Sequence, residues 1–179
     1  MIYKSQDAEK KAILDVAYGM VAAARTAPKA CGIDTIETLI VDGEDKARIA
    51  DEMRRIGDSL NSAHFVRDAG NVDNSECVVL IGSVYKPVDL SGCANCGFEN
   101  CGEMAAAGGR CAFNITDLGI AIGSAVAFAM DNRVDNRIMF TGGKAAYQLG
   151  LFPESVKLVY AIPLSVSGKS PYFDRGVAL

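Results

Sequence analysis

The sequence predicts a mixed α+β domain in which helices pack around a sheet, and three observations carry that reading. Apolar residues recur at helical spacing in two stretches, from Ile13 to Ala24 and from Ile49 to Leu60. Short apolar or β-branched runs, TIETLIV at 35–41 and CVVLIG at 77–82, have the length of strands. A third helical stretch, DLGIAIGSAVAFAM at 117–130, is apolar around its whole circumference. The 179 residues are the size of one domain, expected over 1–179 with no low-complexity segment or long repeat. Half the residues are hydrophobic and the net charge is −4, so there is no positive surplus to hold nucleic acid or an anionic membrane.

In chain order, Ile13, Val16, Ala17, Met20, Val21 and Ala24 form one helical face, with Lys10, Lys11 and Asp15 between them. Ser5 or Asp7 is placed to cap its start. Pro28 should stop it, because the residue before a proline is pushed out of the helical region. A strand at 35–41 follows, closed by an Asp42-Gly43 turn. The second helix is expected from about Glu44, with Ile49, Met53, Ile56 and Leu60 facing the sheet. Residues 61–76 alternate small polar with isolated apolar types and hold His64, which reads as a capping or surface residue. The run at 77–82 is apolar throughout, as expected of a strand covered on both faces, and Cys77 within it reads as a small buried hydrophobe. The apolar helix at 117–130 belongs at the middle of the domain or of a subunit interface, capped by Thr116 or Asp117 and too short to cross a bilayer. Gly119, Gly123 and Ser124 would let another backbone approach it. A strand at 137–140, a Thr141-Gly142-Gly143-Lys144 turn, a short helix to Leu149 and a strand at 156–162 complete the chain.

Chemistry concentrates in a Cys-rich loop at 92–112, which carries Cys93, Cys96, Cys101 and Cys111 among Gly, Ala and Asn. A Cys-x-x-Cys pair lets two thiolates face one ion across a turn, and Gly92, Gly97 and Gly102 beside the first three sulfurs permit tight bends. Disulfides are the weakest reading. The N-terminal MIYKSQDAEKKAI has no apolar export core, so a cytoplasmic protein is expected, where stable disulfides are rare. Zinc would need all four cysteines, because His64 is the only histidine, and only one Cys-x-x-Cys knuckle is present where structural zinc usually has two. An iron–sulfur cluster accepts four cysteines at irregular loop spacings and is favoured, although the spacing matches neither common ferredoxin pattern. Zinc and free thiols remain the alternatives. A single histidine also excludes Ser-His-Asp hydrolysis, the His-Glu-x-x-His zinc proteases and two-His iron sites.

The segment AARTAPKACG at 23–32, followed by TIETLIV, resembles the opening of nitroreductase-like flavoproteins, in which a helix ends in an Ala-Pro-Ser loop touching the flavin. Residues 117–130 are similar to that family's long central helix, 138–144 to its strand and Gly-containing flavin loop, and 156–164 to its last strand. The cysteine segment resembles uncharacterised prokaryotic proteins described as containing a ferredoxin domain. These resemblances imply a nitroreductase-like α+β fold with a mixed or antiparallel sheet of four to five strands, helices on both faces and a long apolar central helix. They also imply a homodimer with FMN in clefts at the subunit interface. Gly142 and Gly143 would lie beside the flavin ring, Lys169 and Arg175 would meet its phosphate, and Cys31 would border the flavin cleft. Lys29 and Gly32 depart from the pattern, standing where Ser and Asn are usual.

The expected protein is therefore a cytoplasmic redox protein in which Cys93, Cys96, Cys101 and Cys111 hold a cluster of the 4Fe–4S type. It would act in electron transfer or as an FMN-assisted oxidoreductase, with no substrate or catalytic residue assigned. Expected partners are a second copy of the chain and a redox protein, with no nucleic acid and no membrane. The alternative is a non-catalytic, zinc-binding structural or interaction protein on the same scaffold.

Overall fold

In the computed structural model, which describes residues 1–173, strand β2 (Cys77–Val84) runs through the middle of the fold. It pairs antiparallel with β1 (Ile36–Val41) on one side and with β4 (Val156–Ser165) on the other. A two-residue strand, β3 (Asp135–Asn136), extends the far side of β4, giving a four-stranded antiparallel sheet in the order β1-β2-β4-β3. The apolar character of β2 on both faces follows from this position. Cys77, Val79 and Ile81 point into one core, and Val78 and Leu80 into the other.

Two helical layers fill those cores. Helices α1 (Ser5–Thr26) and α5 (Ala112–Asp131) pack on one face of the sheet, with Met20, Ala24, Leu118 and Ala125 buried between them. Helices α2 (Gly43–Leu60), α3 (Ala63–Asp73) and α6 (Phe140–Gln148) cover the other through Ile49, Met53, Phe65, Val72 and Ala145. A short helix, α4 (Cys101–Ala106), lies within the cysteine segment between β2 and α5. The α+β class read from the sequence, with helices on both faces of a four-stranded antiparallel sheet, is the observed one.

Several local expectations are corrected. Ser5 is the first helical residue of α1 and its hydroxyl bonds Glu9, so neither it nor Asp7 caps the helix. Residues 61–76 are largely helical, because Phe65, Ala69 and Val72 share a buried face with Asp68 and Asn71, whose polarity masks the period. Leu60 does not join the stripe of α2; it is 58% exposed, at the end of the helix. The expected strand at 137–140 is shorter and earlier. Only Met139 bridges to Ala161 beyond β3, and Phe140 already begins α6.

The Thr141-Gly142-Gly143-Lys144 segment is therefore the first turns of a helix rather than a loop, and its glycines explain why. A Cβ on Gly143 would stand 1.9 Å from the Val159 carbonyl oxygen, and one on Gly142 would stand 2.7 Å from the Ala161 Cβ. Only glycine lets the α6 backbone lie directly on β4.

Helix α5 begins at Ala112, five residues before the expected start, so Asp117 lies inside it. At 20 residues and a mean hydropathy of 1.5 it is long and apolar enough by length and composition to cross a membrane, contrary to the estimate from 117–130 alone. It is also not buried all round. One face is covered, while Ile120, Met130 and the space beside Gly119 and Gly123 are open on the other.

Two measurements check this packing. Gly143→Ala should cost about 3 kcal/mol in denaturant unfolding, because backbone rather than a flexible side chain blocks the new methyl. Gly70→Ala, with nothing within 4 Å of its added Cβ in the middle of α3, should gain about 1 kcal/mol in the same assay. The second test concerns pH. Burial pushes the Cys77 thiol from its ordinary 9.0 up to about 12, so the folded state keeps a proton that the unfolded chain releases. Stability should fall as pH rises from about 9 towards 12, and the slope should be shallower in Cys77→Ala.

Candidate metal centre

The cysteine segment is shaped by bends that its composition permits. Gly92 and Gly97 adopt positive φ (71° and 85°), and the Cys93 and Gly97 N–H groups close tight turns onto the carbonyls of Leu90 and Ala94. The side chain of Asn100 caps α4 by accepting from the Glu103 N–H at 2.9 Å, and its amide donates back to the Glu103 carboxylate at 3.1 Å. The cap fixes Cys101 at the first position of α4. Cys111 occupies the N-cap position of α5, beside the unpaired N–H groups of its first turn.

These bends bring all four cysteines to the wall of one cavity of about 200 Å³. Cys93, Cys96 and Cys101 are partly exposed and Cys111 is buried. Met104, with no exposed surface, and Phe98 line the same cavity. The Tyr85 hydroxyl donates to the Met104 sulfur at 3.3 Å, and the Arg110 guanidinium lies over the Tyr85 ring at 5.2 Å. Among the described residues, no three His, Cys, Asp or Glu side chains converge on a common ion. The thiols thus share a cavity without closing on one point.

The chemistry of this donor set can be tested against the candidate metals. A tetrahedral zinc site with bonds of about 2.3 Å needs its sulfurs under roughly 4 Å from one another. A four-iron cluster is a larger body that takes one thiolate at each iron, so its ligands stand further apart around a cavity. Four cysteines distributed around a cavity of this volume fit the second arrangement, and His64 is exposed on α3 and lines no part of this cavity.

The residues expected to border a flavin lie elsewhere. Cys31 is exposed at φ 53° on the 3-10 turn Ala30–Gly32 and does not line the cysteine cavity. Gly142 and Gly143 are buried against β4, as described above. Lys169 is exposed beyond β4, its carbonyl accepting from the Ser167 hydroxyl, and Arg175 lies outside the described residues. Beside the end of β4, a cleft of about 490 Å³ is lined by Lys10, Lys46, Asp73, Glu76 and Ser165. Lys10 pairs with Glu76 at 2.6 Å, and Lys46 donates to the carbonyls of Asp73 and Ser75. Both ammonium groups are engaged within the chain.

Three residues shape the region in roles that the sequence reading does not assign to them. Asp117, buried inside α5, accepts the Ala30 N–H with both carboxylate oxygens at 3.1 Å and so fastens the turn after α1. Asn114, 94% buried, accepts the Lys86 N–H at 3.3 Å. Met104 fills the cavity floor. The available signal was Asn114 and Asp117 themselves: two strongly polar residues three apart near the start of an apolar helix, a spacing that puts both on one face.

Comparison with known proteins agrees with this arrangement of parts. Over 183 aligned positions the chain is 40% identical to an uncharacterized protein of Archaeoglobus fulgidus, covering 98% of each sequence. The fold is similar to that of a nitroreductase family protein from Clostridium novyi NT (TM-score 0.60, 16% identity, 85% of this chain and 73% of that one). It is also similar to a nitroreductase with bound FMN from Desulfitobacterium hafniense DCB-2 (TM-score 0.58, 12% identity, 87% and 78%). Residues 107–175, which include Cys111, α5, α6 and β4, match the family described as uncharacterized proteins containing a ferredoxin domain. With that match and a relative alike from end to end, the chain belongs to this family, built on a nitroreductase-like fold.

Proposed function

We propose that this chain is an iron–sulfur redox protein whose cluster, of the 4Fe–4S type, is held by Cys93, Cys96, Cys101 and Cys111. The observation that carries the reading is the meeting of these four thiols, spread over 19 residues of chain, at the wall of one cavity. The family's description as containing a ferredoxin domain agrees with it. Such a cluster supplies one-electron transfer when bound. The chain's own residues prepare the site: Met104 and Phe98 exclude water from part of it, and the start of α5 positions Cys111 at its wall. The partial exposure of Cys93, Cys96 and Cys101 leaves one side open for a redox partner protein. The likeness in fold to a nitroreductase with bound FMN supports FMN as a second cofactor, and no step is assigned to it. A cytoplasmic location belongs to this reading.

The assembly we infer is a homodimer built on the open face of α5. Ile120 and Met130 are exposed there, and Gly119 and Gly123 leave room for a second backbone. Sedimentation equilibrium should give a dimer, and Ile120→Glu should shift it towards monomer without loss of helical content. A monomeric native chain at micromolar concentration would refute the assembly.

Anaerobic purification with metal and sulfide analysis tests the cluster. Iron and acid-labile sulfide near four of each per chain are expected, with a broad visible absorption that reductant bleaches. Cys101→Ser should lose most of the iron, whereas Cys31→Ser should keep it. Stoichiometric zinc without iron would instead support the structural zinc protein.

A further inference from the structure

The Cys-rich loop at 92–112 holds a single basic side chain, Arg110, beside the acidic Glu99 and Glu103. The wall of its cavity carries Asp89 and Glu99 and no Lys or Arg. Arg110 immediately precedes Cys111, so its backbone is one residue from a thiol of the site.

On local grounds this is a poor place for a cation. Arg110 stands just before the N-cap of the 20-residue helix α5, at the positive end of the helix dipole, which favours acidic rather than basic side chains. No carboxylate compensates for it. Among the described residues Arg110 forms no ion pair, and its contact is the Tyr85 ring, whose centroid lies 5.2 Å from the guanidinium carbon.

The same guanidinium is tied to the cavity by two routes. The Tyr85 hydroxyl donates to the Met104 sulfur at 3.3 Å, and Met104 is a fully buried residue of the cavity wall. The Gly109 N–H donates to the Met104 carbonyl at 2.8 Å, and a Cβ on Gly109 would stand 2.9 Å from Met104 Cγ. Arg110 is thus held through its backbone by Gly109 and through its side chain by Tyr85, and both routes end on Met104.

We propose that Arg110 sets the reduction potential of the cluster and that Tyr85 positions it, an inference that rests on the iron–sulfur reading. Iron-bound cysteines are thiolates, so the loaded site is rich in negative charge, and the one cation of the loop finds its counter-charge there. Reduction adds one electron, taken from a donor such as dithionite, and forms or breaks no bond. A positive charge beside the site stabilises the more negative, reduced state and so raises the potential. Arg110 is exposed, so water and salt screen part of its field and the effect is modest. A stack that served packing alone would leave the potential where it is.

A dye-mediated dithionite titration of the full chain, purified anaerobically and followed by visible absorption, reads the potential directly. Arg110→Gln should lower the reduced-to-oxidised ratio at a fixed potential about threefold, roughly 30 mV at 59 mV per tenfold change. Arg110→Lys should keep most of the native value. Tyr85→Phe retains the ring and should stay near the native potential, whereas Tyr85→Leu releases the guanidinium and should fall part of the way towards Arg110→Gln. The gap between the native chain and Arg110→Gln should narrow in about 1 M sodium chloride, where the screening length is about 3 Å. Iron-loaded Arg110→Gln at the native potential, or Arg110→Lys as low as Arg110→Gln, overturns the proposal and leaves the cluster standing. A Tyr85→Phe shift equal to that of Tyr85→Leu overturns the positioning role. Should Arg110→Gln hold no iron, a native potential in iron-loaded Tyr85→Leu overturns the proposal equally. Stoichiometric zinc without iron overturns both this inference and the reading beneath it.

Discussion

The position of helix α5 depends on a buried carboxylate, and the rest of the site depends on that position. Asp117 holds the backbone at Ala30 from inside the helix, and the Ser124 hydroxyl bonds the Ala23 carbonyl one level further along. Burying a carboxylate among apolar helices is costly unless its oxygens are satisfied, so this contact has few alternatives once α1 ends at Thr26, ahead of Pro28. It fixes where α5 begins relative to the end of α1. Cys111 stands at the N-cap of that helix, so its place in the cavity wall is set by the same anchor.

The sheet plays a different part. Strand β2 is paired on both edges and covered on both faces, and it delivers the chain directly into the cysteine segment through Tyr85 and Lys86. The Tyr85 N–H bonds the Ser155 carbonyl before β4, so the exit of β2 is held as firmly as its interior. On the opposite face, the Gly142-Gly143 pair lets α6 touch β4 without side chains between them, which keeps that layer thin. The loop can then be irregular, because both of its ends leave rigid elements. A site whose ligands come mainly from one loop still needs such supports to hold four sulfurs around a cavity.

Where the two stages agree and differ can be traced to particular residues. The end of α1 was legible because Pro28 acts locally on the residue before it, and β2 was legible because an unbroken apolar run of this length has few other uses. Helix α3 was hidden because Asp68 and Asn71 lie on its buried face, where Asp68 accepts from the Thr141 hydroxyl of α6, a partner 73 residues away. Asp117 was taken for a cap for the same reason. A polar residue near a helix start usually serves the local backbone, and here it serves the chain 87 residues upstream.

What the sequence determined by itself was the composition of the loop: four thiols, bends at Gly92 and Gly97, and a single histidine, which together limit the metals and exclude whole classes of hydrolysis. It also determined the periods of α1, α2 and β2, since these arise from neighbours a few residues apart. Only the tertiary structure decided that the thiols share one cavity, that Gly142 and Gly143 serve contact between α6 and β4, and that the Arg110 guanidinium lies over the Tyr85 ring. Each of these depends on groups distant in the chain meeting in space, and spacing along a sequence carries no record of such a meeting.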